Sequence, residues 1–433
     1  TTLTVATLTT AALCASLSLN VQAETPSANA QAGYVGVGSC ASSQCHGSVA
    51  PREGNNILQN EYTTWIKHDS HAKAWKVLLN DDSKQIAKHL GIAAAEKDPL
   101  CLQCHSTYVP NKTQQGSTFQ TEDGVGCETC HGPGEKWLGS HTAHDASHKS
   151  NVDLGMTDLA NPEKQATLCL SCHFGNDDKF VNHRLIGAGH PRLSFELDTF
   201  ESIAPRHWIV DDDYRLRKDD YNAVQAWFSG QVAQAESSLA RLASEKRSKD
   251  GVFPEFSVFS CSACHHSLTE GQWKKRDYNG KPGIPSLNLS SLVMVKEALA
   301  VVNPALMKKL TEQLDVLHTS YVVGGNAPAG AITSLRKFLK DNKANVFKEA
   351  PPTTTTKALV TRLTNFAATT PILSYEDAEQ VAMAISTFAN QLQPDGSLYK
   401  TELENLYATL KDPKAFIAED FNVAANNFVK KIN

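Results

Sequence analysis

Ten of the chain's eleven cysteines fall into five pairs, and a histidine follows the second cysteine of every pair. Four pairs keep one spacing: Cys101-Leu102-Gln103-Cys104-His105, Cys127-Glu128-Thr129-Cys130-His131, Cys169-Leu170-Ser171-Cys172-His173 and Cys261-Ser262-Ala263-Cys264-His265. Cys-x-x-Cys-His is the signature of covalent haem attachment: the thiols become thioethers and the histidine ligates the iron. Cysteine pairs also form disulfides in exported proteins and bind zinc elsewhere. Neither use explains a histidine at the same offset five times. The first pair departs from the rule, because Cys40-Ala41-Ser42-Ser43-Gln44-Cys45-His46 has four residues between its cysteines. Small residues there can loop out and still present both sulfurs to one ring. A Cys40–Cys45 disulfide with His46 idle is the competing reading, and the retained cysteine–histidine junction with its following glycine favours haem. Five covalently attached haem c groups are therefore expected.

Residues 1–23 carry no charge and end in Val21-Gln22-Ala23. They read as a secretory signal peptide cleaved after Ala23, its start trimmed of a methionine and basic residues. Cys14 leaves with it, and the expected location is the periplasm or another exported compartment. The formal charge of -5 gives no basic footprint for nucleic acid. Haem propionates add negative charge, so redox partners with basic docking patches are expected. No later apolar run is long enough to span a membrane.

The fold class expected is mainly α with extensive irregular haem-binding loops. Residues 24–285 form a five-haem cytochrome c domain, and residues 286–433, which hold no cysteine and only His318, form an all-helical region. In the first part, helices are read at 61–90, at 161–172 (entered through Asn161-Pro162) and at 219–247 (opened by Asp219-Asp220). In the second they are read at 287–302, 304–320, 329–346, 356–369, 375–392 (capped by Ser374) and 398–431, the last broken near Asp412-Pro413. The PPTTTT run at 351–356 reads as a connector. Nothing in the helical region carries chemistry. Its helices are one candidate surface for assembly with other chains, and a chain ending near residue 285 is expected to keep every haem.

Five irons have up to five further axial positions, and Met156 is the single methionine between the first and last motifs. Eleven histidines remain after the five proximal ones, so bis-histidine ligation is expected at most sites. By spacing, His190 in its Gly189-His190-Pro191 turn is a good candidate; His183 and His207 are weaker. His266 directly follows His265 and points away from that haem, towards a neighbouring one. His141, His144 and His148, at helical offsets, could instead form a metal site.

The run Gly124-Val125-Gly126-Cys127-Glu128-Thr129-Cys130-His131-Gly132-Pro133-Gly134, with His141 ten residues after His131 and with His71-Ala72-Lys73-Ala74, resembles the cytochrome c-554 family of periplasmic multihaem electron carriers. The resemblance covers roughly residues 35–180. It implies mostly bis-histidine haems stacked in close pairs, one haem that can be five-coordinate, and His71 and His141 as distal ligands. The function expected is single-electron transfer between redox partners through five haems. Two alternatives stay open: a multihaem reductase or oxidase of small nitrogen or sulfur oxyanions working at one open iron, and a structural subunit of a larger cytochrome assembly.

Overall fold

The computed structural model describes residues 32–54, 57–218, 221–251, 253–265, 285–323, 327–370 and 374–432. The signal-peptide reading of 1–23 and the candidate ligand His266 lie outside them. The described chain is mainly α, with one two-stranded antiparallel ribbon in which Lys249–Asp250 pairs with Phe253–Pro254. The motif-bearing part has short helices: α1 (Glu61–His68), α2 (Asp81–Leu90), α3 (Pro99–His105), α4 (Cys127–His131), α5 (His148–Asp153), α6 (Pro162–His173), α7 (His183–Gly187), α8 (Leu197–Ile203) and α9 (Asp212–Arg217). Longer ones follow: α10 (Ala223–Ala243), α11 (Ser290–Val302), α12 (Pro304–Val323), α13 (Ala327–Asn342), α14 (Thr353–Thr369), α15 (Tyr375–Leu392), α16 (Lys400–Ala408) and α17 (Ala418–Ile432).

The helix expected over 61–90 is broken into α1, two 3-10 turns at Ser70–Lys73 and Lys76–Leu79, and α2. Asp69 and Asn80 cause the breaks. Each lies in extended backbone and accepts an N–H from two or three residues on, a capping bond that competes with the helical one. Likewise α10 starts at Ala223, where Asn222 accepts from the Gln225 amide, rather than at 219. Thr353–Thr356 open α14 behind Pro352 rather than forming a connector. The break at Asp412-Pro413 is present between α16 and α17.

The hydrophobic core is distributed unequally. One large cluster joins α10 to the helices from α11 onward, with Trp227, Leu292, Leu310, Leu335, Phe388, Phe421 and Phe428 almost wholly buried. The motif-bearing part has only small clusters, such as Leu78, Ala87, Ala95 and Leu102. Helix α10 links the two parts because it is apolar on nearly every side. Trp227, Val232 and Leu239 face the large core, whereas Ala226 and Ala233 meet Ala166 and Leu170 of α6, together with Phe195 and Leu197. Gly230 lets α10 approach closely: a methyl there would lie 3.1 Å from Leu197 Cβ. Helix α10 therefore contributes to the packing of both parts.

Candidate haem sites

Helical geometry explains the common motif spacing. Residues i, i+3 and i+4 share one face of a helix, so two thiols and an imidazole point the same way. The second, third and fourth motifs close helices α3, α4 and α6, each ending on its histidine. The fifth begins a 3-10 turn at Cys261. The first, with its extra residues, is a turn in which the Ser42 carbonyl accepts from both Cys45 and Gly47, while Arg52 and Gln59 hold the carbonyls of Ser43 and Gln44. Neither Cys40 nor Cys45 is in a disulfide.

Each motif histidine faces a second imidazole. Ring centres are 6.3 Å apart for His46 and His141, 6.3 Å for His105 and His190, and 6.3 Å for His131 and His207. They are 6.0 Å apart for His173 and His71, and 6.3 Å for His265 and His183. A metal-bound imidazole nitrogen sits about 2 Å from its ion and about 1.2 Å from its own ring centre, so two rings on opposite sides of one ion have centres about 6.3 Å apart. All five pairs have that spacing. The first and fifth are near-parallel, with planes at 12° and 28°. The other three are steep, at 84°, 75° and 88°.

In five of these rings Nδ1 is engaged elsewhere, which leaves Nε2 for a metal. His46 Nδ1 bonds Glu61 at 2.9 Å, and His71 Nδ1 bonds Asp69 at 3.0 Å. His105 and His190 use the carbonyls of Ala74 and Pro191 at 2.9 and 2.7 Å, and His141 uses that of Leu138. The carboxylates of Glu61 and Asp69 raise the pKa of their histidines. Burial pushes His131 down to about 4, so that ring is neutral and keeps its lone pair. Glu255, itself buried, accepts from the His183 amide at 2.8 Å and fixes the start of α7.

A continuous cavity of about 2990 Å³ is lined by the first four motifs together with His71, His141, His190 and His207. Divided among four sites this is about 750 Å³ apiece, inside the range of about 300–1,000 Å³ for one bound small molecule. Native interiors are otherwise close-packed, so a space of this size has room for bound groups of that bulk. The residues present fit haem. The fifth pair stands outside the cavity, with Cys261, Cys264 and His265 exposed.

Sulfur contacts give the sites an order in space. Cys40 is hydrogen-bonded to Cys127, and Cys104 to Cys172. That second bond, together with the Lys179 ammonium 2.9 Å from Cys172 Sγ, holds the Cys172 thiol down to about 5 against the effect of burial. Cys130 lies near enough to Cys169 and Cys172 to feel their charge. Cys261 in turn feels Arg192, two residues beyond His190. In space the motifs therefore run first, third, fourth, second, fifth.

Two features escaped sequence reasoning. Glu128, inside the third motif, is buried and accepts from the amides of Val35, Gly36 and Gly134 at 2.8, 2.8 and 2.7 Å. The glycines beside that motif serve backbone approach: a Cβ on Gly124 (φ 76°) would stand 2.7 Å from the His71 carbonyl oxygen, and one on Gly132 (φ 83°) 2.9 Å from that of Gly155. His141, His144 and His148 do not converge, since His141 faces His46 and His148 Nε2 bonds Asp158 at 2.9 Å. No cluster able to hold a free metal ion occurs among the described residues.

Comparison with known proteins agrees with the geometry. Residues 39–132 match the family described as cytochrome c554 and c-prime. The chain is 31 % identical to cytochrome c-554 of Nitrosomonas europaea over 147 residues, covering 30 % of this chain and 61 % of that protein. It is 22 % identical to the multiheme cytochrome MtrA of Shewanella baltica over 228 residues, covering 49 % of this chain and 61 % of that protein. The chain thus spans about three fifths of the length of these curated relatives. No solved structure matches it. Both relatives are cytochromes, so covalently bound haem c and electron transfer in general are implied here. Over residues 39–132 the chain is thus similar to the cytochrome c-554 family.

Proposed function

We propose that the chain is an exported five-haem c-type cytochrome that relays single electrons between redox partners, with every iron held between two imidazoles. The ligand pairs are His46 and His141, His105 and His190, His131 and His207, His173 and His71, and His265 and His183. One observation carries this reading: all five motif histidines have a second ring centre at 6.0–6.3 Å. Bound haem would supply a one-electron iron couple. The chain's part is to fix the spacing, orient the rings and keep water from the inner sites.

Two imidazoles at each site leave no position for a substrate oxygen, which favours relay over oxyanion reduction. The spatial order of the motifs makes an unbranched path whose two ends, at the first and fifth motifs, carry exposed cysteines. Those ends are the places for partners to dock. The charge of -5 favours partners with basic patches. No helix among the described residues is long and apolar enough to cross a membrane. Export rests on the reading of residues 1–23.

Intact-mass measurement on protein matured by a cytochrome c assembly system tests the count. The expected mass is the chain after Ala23 plus five haems. A mass of four haems, with Cys40 and Cys45 lacking thioether bonds, would remove the first motif from the path. Cys40→Ala should weaken attachment at that site alone.

A further inference from the structure

Helix α15 carries two opposed faces. Ala378, Val381, Ala382, Ile385 and Phe388 are wholly buried in the large core. Glu376, Glu379, Gln380 and Thr387, spaced i, i+3, i+4 and i+11, form a polar stripe on the other side. That stripe meets the segment following His190 and the segment leading into the fifth motif. Glu379 Oε1 accepts from Arg192 at 2.7 Å and its Oε2 accepts from Ser194 at 2.6 Å. Gln380 donates to the Phe195 carbonyl at 3.0 Å, and the Arg192 guanidinium lies 4.6 Å from the centre of the Tyr375 ring. Glu376 accepts from Ser260 Oγ at 3.0 Å and from the Cys261 amide at 3.3 Å.

We propose that Glu379 is a positioning residue for the His105–His190 pair and Glu376 for the fifth motif, which makes the C-terminal helices part of the electron path. The proposal rests on the reading of the histidine pairs as iron ligands. Residues 190–196 have no helix or strand of their own. Among the described residues, His190 is tied only locally, by its amide to the Leu185 carbonyl and by its ring to Pro191. Where the ring stands is then set by what holds residues 192–195, and α15 holds them through three hydrogen bonds. The ion pair is mostly shielded from water, with side chains 22 % and 18 % exposed, so its geometry is firmer than that of a surface pair. A helix locked into a core is a suitable support for a ligand carried on an irregular loop. The same helix turn touches both the His190 segment and Cys261, so it also fixes the approach of the second motif to the fifth.

The test is the paramagnetic resonance spectrum of the oxidised holoprotein, with carbon monoxide uptake by the reduced form, for the wild type, Glu379→Ala, Glu379→Gln and Glu376→Ala. Glu379→Ala should convert one haem in five to a high-spin, carbon monoxide-binding form and remove one steep-ring low-spin signal. Glu379→Gln, which can still accept from Arg192, should restore it. Glu376→Ala should leave that signal intact and disturb the near-parallel signal of His183 and His265. If Glu379→Ala does not accumulate as holoprotein, Arg192→Met breaks the same pair from the other side and should give the same single conversion. An unchanged five-haem low-spin spectrum in the folded Glu379→Ala or Arg192→Met protein would overturn the proposal. A high-spin haem already present in the wild type would instead count against the pairing of the histidines.

Discussion

Asp69 Oδ1 accepts two hydrogen bonds from the same residue, from the backbone N–H of His71 at 2.9 Å and from its ring Nδ1 at 3.0 Å. The first bond ends helix α1 and starts a 3-10 turn, and the second orients the imidazole opposite His173. One side chain thus converts a break in a helix into the placement of a ring. Glu61 does the same for the ring of His46.

A carboxylate on Nδ1 makes the imidazole more electron-donating and favours ferric over ferrous iron. Asp69→Asn and Glu61→Gln are each expected to raise the potential of one haem, by roughly 60 mV for every tenfold of ferric preference lost. Spectroelectrochemical titration of each variant checks this. A downward shift would show that the carboxylates act otherwise than through the ring.

Glu128 satisfies three backbone amides within the third motif's surroundings. Glu128→Ala leaves these donors buried without an acceptor, and a loss of roughly 3–5 kcal/mol is expected. Glu128→Gln, which keeps one acceptor oxygen, should lose about 1–3 kcal/mol. Urea midpoints of the holoproteins measure both.

Burial pushes the carboxyl groups of Glu196 and Glu201 up to about 7, from an ordinary value of 4.5. Thr199 and Asp198 donate to Glu196 and partly offset that effect, while Gln165 and Tyr221 bond Glu201. Between pH 4.5 and about 7 the folded state therefore binds more protons than the unfolded state. Their contribution to stability is fully present below pH 4.5 and is lost as the pH rises through about 7. The slope is at most about 1.4 kcal/mol per pH unit for each group. Glu196→Gln should flatten this part of the stability profile, as denaturation midpoints across that range would record. An unchanged slope would mean that the carboxyl is not protonated in the folded state.

A chain ending near residue 285 would uncover Val224, Trp227, Phe228 and Leu239 on α10 and would remove Glu376 and Glu379. Each large apolar side chain returned to water costs about 1.5–3 kcal/mol. The truncated protein is now expected to lose soluble yield and, in what remains soluble, low-spin ligation at the second and fifth motifs first. Full retention of five low-spin haems would instead fit a separate C-terminal domain.

The five motifs were legible because the chemistry of haem attachment fixes their spacing. His71 and His141 came from the family resemblance, His190 from its glycine-rich turn and, as a weaker candidate, His183; each ring stands opposite a motif histidine, and their ligation is the reading proposed above. His207 ranked low because its neighbours Pro205 and Trp208 form no recognised pattern. Counting ligands against irons was the signal that could have raised it. The caps at Asp69 and Asn80 stand in the sequence but lie within an apolar run whose periodicity reads as one helix. The polar stripe on α15 was not legible, since its partners at 192–196 and 260–261 lie far away in sequence and only the fold brings them near.

The claim that every iron has two histidine ligands is tested most directly by the paramagnetic resonance spectrum of the oxidised wild-type protein, followed by carbon monoxide added to the reduced form. Ligand planes near parallel separate the iron d orbitals and give rhombic low-spin signals; planes near perpendicular leave them almost degenerate and give strongly anisotropic ones. With rings at 12° and 28° in two pairs and at 75° to 88° in three, two rhombic and three strongly anisotropic signals are predicted, without high-spin iron and without rapid carbon monoxide binding. A high-spin signal with fast uptake at one haem would contradict the five-pair assignment and return that site to the oxyanion-reductase reading.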